Sequence, residues 1–187
     1  MMLARLLQIL LLLAAVHVHA QVIDIKQFGI ASTEEGYTVD ADFEFGLTPR
    51  LEEALRNGVP LYFAVEFELI RPRWYWFDEA TVNSRIDVRL SYNSLLRQYR
   101  LSTGPLQRNF SSYEDAMNVL SRVRSWLVIE RDKLPPDTRY QAGLRMRLDT
   151  TQLPRPFQLS AITDRELNLS SAWKRIVFTS DAEKTQK

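Results

Sequence analysis

Tyr37-Thr38-Val39-Asp40-Ala41-Asp42-Phe43-Glu44-Phe45 is the stretch that decides the fold class. Tyr37, Val39, Ala41, Phe43 and Phe45 fall on one face, and Asp40, Asp42 and Glu44 on the other. Successive side chains of an extended backbone point to opposite sides, so this period of two marks a strand with one face buried and one wet. Residues 22–32 form its partner, joined to residues 37–47 at Glu34-Glu35-Gly36. The pattern recurs along the chain. Val59 to Ile70 places Leu61, Phe63, Val65, Phe67 and Leu69 on one face. Residues 82–92 set Val82, Ile86, Val88, Leu90 and Tyr92 against Arg85, Asp87, Arg89 and Ser91, with Leu96 to Thr103 as the return strand. Tyr140, Ala142, Leu144, Met146 and Leu148 alternate with Arg139, Gln141, Gly143, Arg145 and Arg147, and residues 167–178 carry a last β-like pattern.

Two helices interrupt the strands. Leu47 to Gly58 has Thr48 to cap it, Pro49 at the first helical position and Gly58 at its exit. Ser111 to about Val128 opens with a capping box, Ser111 with Glu114. Tyr113, Ala116, Met117, Leu120, Val123 and Leu127 then recur at helical spacing. About seven half-buried strands separated by turns predict an antiparallel β-sandwich, immunoglobulin-like in general architecture, with two helical insertions. The alternative is an α+β arrangement with one curved antiparallel sheet.

The chain has 187 residues with 24 basic and 23 acidic side chains, two histidines and no cysteine. Leu6 to Val16 is apolar except for Gln8, and Val18-His19-Ala20 places small or modest residues before Gln21. This predicts a signal peptide over residues 1–20, with an uncleaved inner-membrane anchor as the alternative. The apolar run falls short of the roughly 20 residues a comfortable span needs. A single domain over residues 21–178 and a polar tail over residues 179–187 complete the expected organisation. The expected export makes the protein a secreted or periplasmic one, and without cysteine it has no disulfides and relies on its core.

Removing residues 1–20 removes both histidines, His17 and His19, and one basic residue, Arg5, leaving 23 basic against 23 acidic. The remaining chain therefore has no Ser-His-Asp or Cys-His machinery, no histidine metal site and no base that titrates unperturbed near neutrality. Its neutral balance argues against a nucleic-acid partner, which requires a basic footprint. Neither a cofactor nor a metal nor a catalytic residue is expected. Calcium on the Asp40, Asp42 and Glu44 row lacks the turn that wraps ligands around an ion. That row is better read as pairing across a sheet with arginine rows such as Arg145 and Arg147, or Arg85 and Arg89. Glu66 with Glu68, or Asp78 with Glu79, could form a carboxylate pair of the hydrolase kind, without any accompanying motif.

Arg71-Pro72-Arg73-Trp74-Tyr75-Trp76-Phe77 is the most distinctive local feature. A strand sends alternate side chains to opposite faces, so four consecutive aromatics cannot all enter one core. Arg71, Arg73, Trp74, Tyr75, Trp76 and Phe77 form the candidate interaction surface, because aromatics with arginine are enriched at protein interfaces.

Several segments taken together are also similar to a known family. They are Leu47-Thr48-Pro49 with Leu51-Glu52-Glu53-Ala54-Leu55, Gly58-Val59-Pro60-Leu61, Arg73-Trp74-Tyr75-Trp76, Leu90-Ser91-Tyr92, Tyr99-Arg100-Leu101, Leu134-Pro135-Pro136 and Ser171-Ala172-Trp173. The set resembles the uncharacterised proteobacterial exported proteins grouped as domain of unknown function 4390. The resemblance implies a Gram-negative periplasmic setting and supplies no site residues. Members are often encoded beside a nitrogen-regulation-type sensor kinase and its response regulator, which implies a link to envelope sensing. The resulting expectation is a non-enzymatic periplasmic interaction module, as an accessory to an envelope sensor kinase. A ligand-binding β-sandwich for glycan, lipid or peptide is the alternative, and a carboxylate-dependent hydrolase a distant third.

Overall fold

The structure is a computed structural model and describes residues 23–71 and 79–181. Nine strands and three α-helices are present among them. In chain order these are β1 (Asp24–Ser32), β2 (Gly36–Glu44), α1 (Pro49–Arg56), β3 (Leu61–Arg71), β4 (Glu79–Asn93), β5 (Gln98–Thr103), β6 (Leu106–Phe110), α2 (Tyr113–Leu120), β7 (Arg122–Glu130), β8 (Arg139–Leu148), α3 (Arg155–Thr163) and β9 (Lys174–Thr179).

The strands build two antiparallel sheets, of three strands in the order β1-β2-β7 and of six in the order β6-β5-β4-β3-β8-β9. The alternation read from the sequence sets which face of each strand is inward. Tyr37, Val39, Ala41 and Phe43 of β2 are buried, as are Leu61 through Leu69 at every odd position of β3. Tyr140, Ala142, Leu144, Met146 and Leu148 of β8 are buried as well. One hydrophobic cluster joins the inner faces of both sheets. Aromatic contacts cross between them: Phe67 meets Trp126 edge-on at 6.4 Å, and Tyr37 meets Phe178 edge-on at 5.0 Å. Burial of apolar side chains between two layers is the main stabilising term of such a sandwich.

α1 forms for the reasons its sequence suggests. The Thr48 hydroxyl accepts from the Leu51 N–H at 3.2 Å, and Leu51, Ala54 and Leu55 turn one face into the core. The same hydroxyl donates to the Glu166 carbonyl at 2.7 Å, tying the helix start to a distant turn.

The expected long helix from Ser111 to Val128 is a correction. α2 ends at Leu120, and Arg122–Glu130 is the strand β7. The cap is Ser112, which accepts from the Asp115 N–H at 3.1 Å, in place of Ser111 with Glu114. Val123, Trp126, Val128 and Ile129 are β-branched or aromatic and favour a pleated surface. Pairing with β2 supplies the backbone partners that a third helical turn would have made internally. Close approach at the far end of this pairing requires Gly36. A Cβ there would lie 2.1 Å from the Ile129 carbonyl oxygen, so any larger residue must push β2 and β7 apart.

Two further elements go beyond the sequence reading. Leu106–Phe110 is the edge strand β6. Arg155–Thr163 forms a third helix, α3, in the stretch read as a proline-broken connection, with Pro154 at its N-cap and Pro156 in its first turn. Among the described residues no helix is long and apolar enough to cross a membrane.

Candidate binding groove

The six-stranded sheet has two faces with opposite characters. Its outer face centres on Glu66 of β3, which lies opposite Arg85 of β4 and Arg145 of β8. Arg145 Nε donates to Glu66 Oε2 at 2.9 Å, and Arg147 Nε donates to Oε1 at 3.0 Å. Arg85 reaches Asp149 at 2.7 Å and Asp87 at 2.6 Å. Arg175 of β9 pairs with Glu68 at 2.7 Å. The Arg145 guanidinium also lies 4.6 Å from the centre of the Trp173 ring. Four carboxylates thus meet four guanidiniums, and the lattice neutralises itself.

The titration of its acids follows from these contacts. Burial opposes ionisation of Glu66, but the hydrogen bonds and charges of Arg145 and Arg147 outweigh it and hold the carboxyl below the usual glutamate range. Burial likewise opposes ionisation of Asp149, and donors from Thr151 and Arg85 outweigh it. Both remain carboxylates near neutrality. A general acid for hydrolysis needs the opposite shift. Glu68, the other half of one expected carboxylate pair, is held by Arg175. Asp78, of the second pair, lies outside the described residues. No group of three or more metal-ligating side chains occurs among the described residues.

Asp40, Asp42 and Glu44 do not face Arg145 and Arg147, or Arg85 and Arg89, because β2 belongs to the other sheet. The Asp40 carboxylate accepts from the Ser125 N–H at 2.9 Å, Asp42 pairs with Arg124, and Glu44 pairs with Lys26. The row serves to hold the three-stranded sheet together.

The inner face is only partly covered, because a sheet of three strands cannot cover one of six. On the side of β4, β5 and β6 it leaves an open groove of about 350 Å³. Ile86, Val88, Leu101 and Leu106 make its floor, and Val119, Val123 and Trp126 its wall. α2 leads from β6 to β7 beside the groove and packs on both β5 and β6. Leu106 is 72% exposed at the mouth, where an isolated apolar side chain has nothing to bury against. Three arginines line the groove: Arg108, Arg122 and Arg124. Arg124 is occupied, donating to Asp42 and, at 2.8 Å, to the Ala41 carbonyl. Arg108 lies 5.4 Å from the Phe110 ring centre. Among the described residues neither Arg108 nor Arg122 has a carboxylate within ion-pair distance.

Of the candidate surface read from the sequence, Arg71 is exposed at the end of β3, opposite Glu79. Arg73, Trp74, Tyr75, Trp76 and Phe77 lie outside the described residues. The groove was not legible in the sequence, because its wall was read as helix and its rim strand β6 was not read at all. The signal that could have found the wall is the β-branched and aromatic run from Val123 to Ile129.

No match was found among curated proteins or among solved structures. Residues 20–177 match the family model described as "Domain of unknown function (DUF4390)". That range holds both sheets except the last two residues of β9, and on this match the chain belongs to that family.

Proposed function

We propose that the protein is a non-enzymatic binding module of the cell envelope, and that it binds through the groove bounded by β4, β5, β6 and β7. The observation that carries this reading is the pairing of an open apolar cavity with two cations, Arg108 and Arg122, that lack an acidic partner among the described residues. Apolar concavities with a few convergent polar groups are the usual form of a binding site. The acids of the outer face point away from catalysis, since arginines hold Glu66 and Asp149 ionised. The setting we propose is the periplasm. The apolar segment from Leu6 to Val16 supports it. A role as accessory to an envelope sensor kinase is the form of this proposal that the family resemblance favours.

The test is photo-crosslinking in cells producing the whole chain. One probe replaces Leu106 at the mouth of the groove, and a control probe replaces Glu53 on the exposed side of α1. An adduct from position 106 that is absent from position 53 supports binding through the groove. Equal adducts from both positions, or none from position 106, would sink it. A third probe at position 75 asks separately whether the aromatic run contacts a protein.

A further inference from the structure

We infer that the groove takes a one-tailed anionic amphiphile, a long-chain carboxylate, with its tail along Val65, Ile86 and Val88 and its head group against Arg108 and Arg122. The inference rests on the binding reading above and specifies the ligand class.

Size is the first argument. About 350 Å³ lies near the low end of the roughly 300–1,000 Å³ typical of ligand sites, which suits one acyl tail rather than two. Chemistry is the second. The lining is apolar except for the arginines and the Thr103 hydroxyl, with no carboxylate or amide side chain. A sugar would need several acceptors for its hydroxyls and would find none beyond Thr103. A hydrocarbon tail needs only apolar contact.

Charge is the third. An arginine beside apolar surface is better accommodated with an anion against it, since the planar guanidinium pairs bidentately with carboxylate. On the outer face of the same sheet the fold supplies Arg85, Arg145, Arg147 and Arg175 with carboxylates of its own. In the groove it leaves Arg108 and Arg122 without one among the described residues.

An extended peptide is the competing occupant, because β7 is an edge strand. The pairing of β7 with β2 shifts register twice within nine residues, and Ser125 takes a positive φ of 49°. Bulges of this kind blunt an edge against strand addition. β6 is short, with Arg108 set on the inward face beside Leu101, another device that discourages pairing. If discouraging pairing were the whole role of Arg108, its removal would leave amphiphile binding unchanged.

The experiment uses Trp126, which lies in the wall. The whole protein is titrated with a brominated long-chain fatty acid below its aggregation concentration, and indole emission is followed. The expected result is saturable quenching that is largely lost in Trp126→Phe. The bromine-free alcohol of equal chain length, used as competitor, should bind about tenfold more weakly, a difference of about 1.4 kcal/mol. The double variant R108A/R122A should bind the acid about as weakly as the alcohol, with its unfolding midpoint unchanged. Displacement of a dansylated fatty acid ranks the same ligands without altering Trp126. Equal binding of acid and alcohol, or an unaffected double variant, would overturn the assignment of the head group. Quenching that does not saturate, or that persists in Trp126→Phe, would overturn the inference as a whole. If no amphiphile binds while the probe at position 106 still captures a partner, the ligand class falls and the binding reading stands.

Discussion

Arg145 and Arg108 stand on opposite faces of one sheet and have opposite surroundings. Arg145 is clamped by Glu66 and stacked on Trp173, within a lattice where every guanidinium finds a carboxylate. Arg108 touches Phe110 and opens onto an apolar cavity. The contrast separates two uses of the same side chain. Arg85, Arg145, Arg147 and Arg175 join β3, β4, β8 and β9, strands that the chain visits far apart in sequence, and their charge is consumed in doing so. In the groove Arg124 is held by Asp42, whereas Arg108 and Arg122 have no carboxylate partner among the described residues, so their charge remains available to something outside the chain.

The comparison can be broken most directly at Glu66. Replacing it with alanine leaves Arg145 and Arg147 side by side with their shared acceptor gone. Removal of one partner from a fully buried pair costs about 3–5 kcal/mol. Glu66 keeps 16% of its side-chain surface, so a loss of about 2 kcal/mol in urea unfolding is expected. If Glu66→Ala is silent, the outer lattice is ornamental and the contrast fails.

Acid should separate the two faces next. The carboxyls of Glu66 and Asp149 lie below their ordinary ranges in the folded state. Such a group adds stability that is fully present above its unfolded pKa and is lost as the pH falls through the lowered folded value. Unfolding free energy should therefore decline below about pH 4. Glu66→Gln should flatten that decline, while R108A/R122A should leave its slope as it is.

Trp173→Ala tests the stacking beneath Arg145. Removing the ring should cost about 1 kcal/mol through the lost cation–π contact, together with some packing. The smallest effect is expected in the groove: Arg122→Ala should change stability by less than about 0.5 kcal/mol, as for other exposed positions. A large loss there would mean that Arg122 is structural after all, and the two faces would no longer differ.

The strands with a clean period of two were readable because one property, wet or dry, alternates along a single local segment. β2, β3 and β8 are of this kind. β7 was not, because Tyr113, Ala116, Met117 and Leu120 fit a helix and Val123 and Leu127 continue the spacing by coincidence. Past Ser121 the backbone partners come from β2 instead, and a residue as remote as Gly36 makes that approach possible. The groove was hidden for the same reason. Its floor is one sheet, its wall another, and its width depends on how many strands each sheet collects. Arg71 was singled out as part of a contact surface and is exposed at the end of β3, while the residues after it that carried most of that expectation lie outside the described residues.

By itself the sequence determined the two-faced strands, the Thr48 cap of α1 and the chemistry that a chain without cysteine, and without histidine beyond residue 19, must forgo. Each of these depends on residue type and on neighbours within a few positions. Only the tertiary structure decided which arginines are neutralised. Arg145 lies between Leu144 and Met146 and Arg108 between Gln107 and Asn109, and neither pair of neighbours tells whether a carboxylate is near. Arg145 meets a carboxylate 79 residues away because β8 lies beside β3. Arg108 meets an open cavity because the sheet above it stops at β7. Electrostatic pairing acts over a few ångströms of space, and only the order of the strands brings distant positions within that reach.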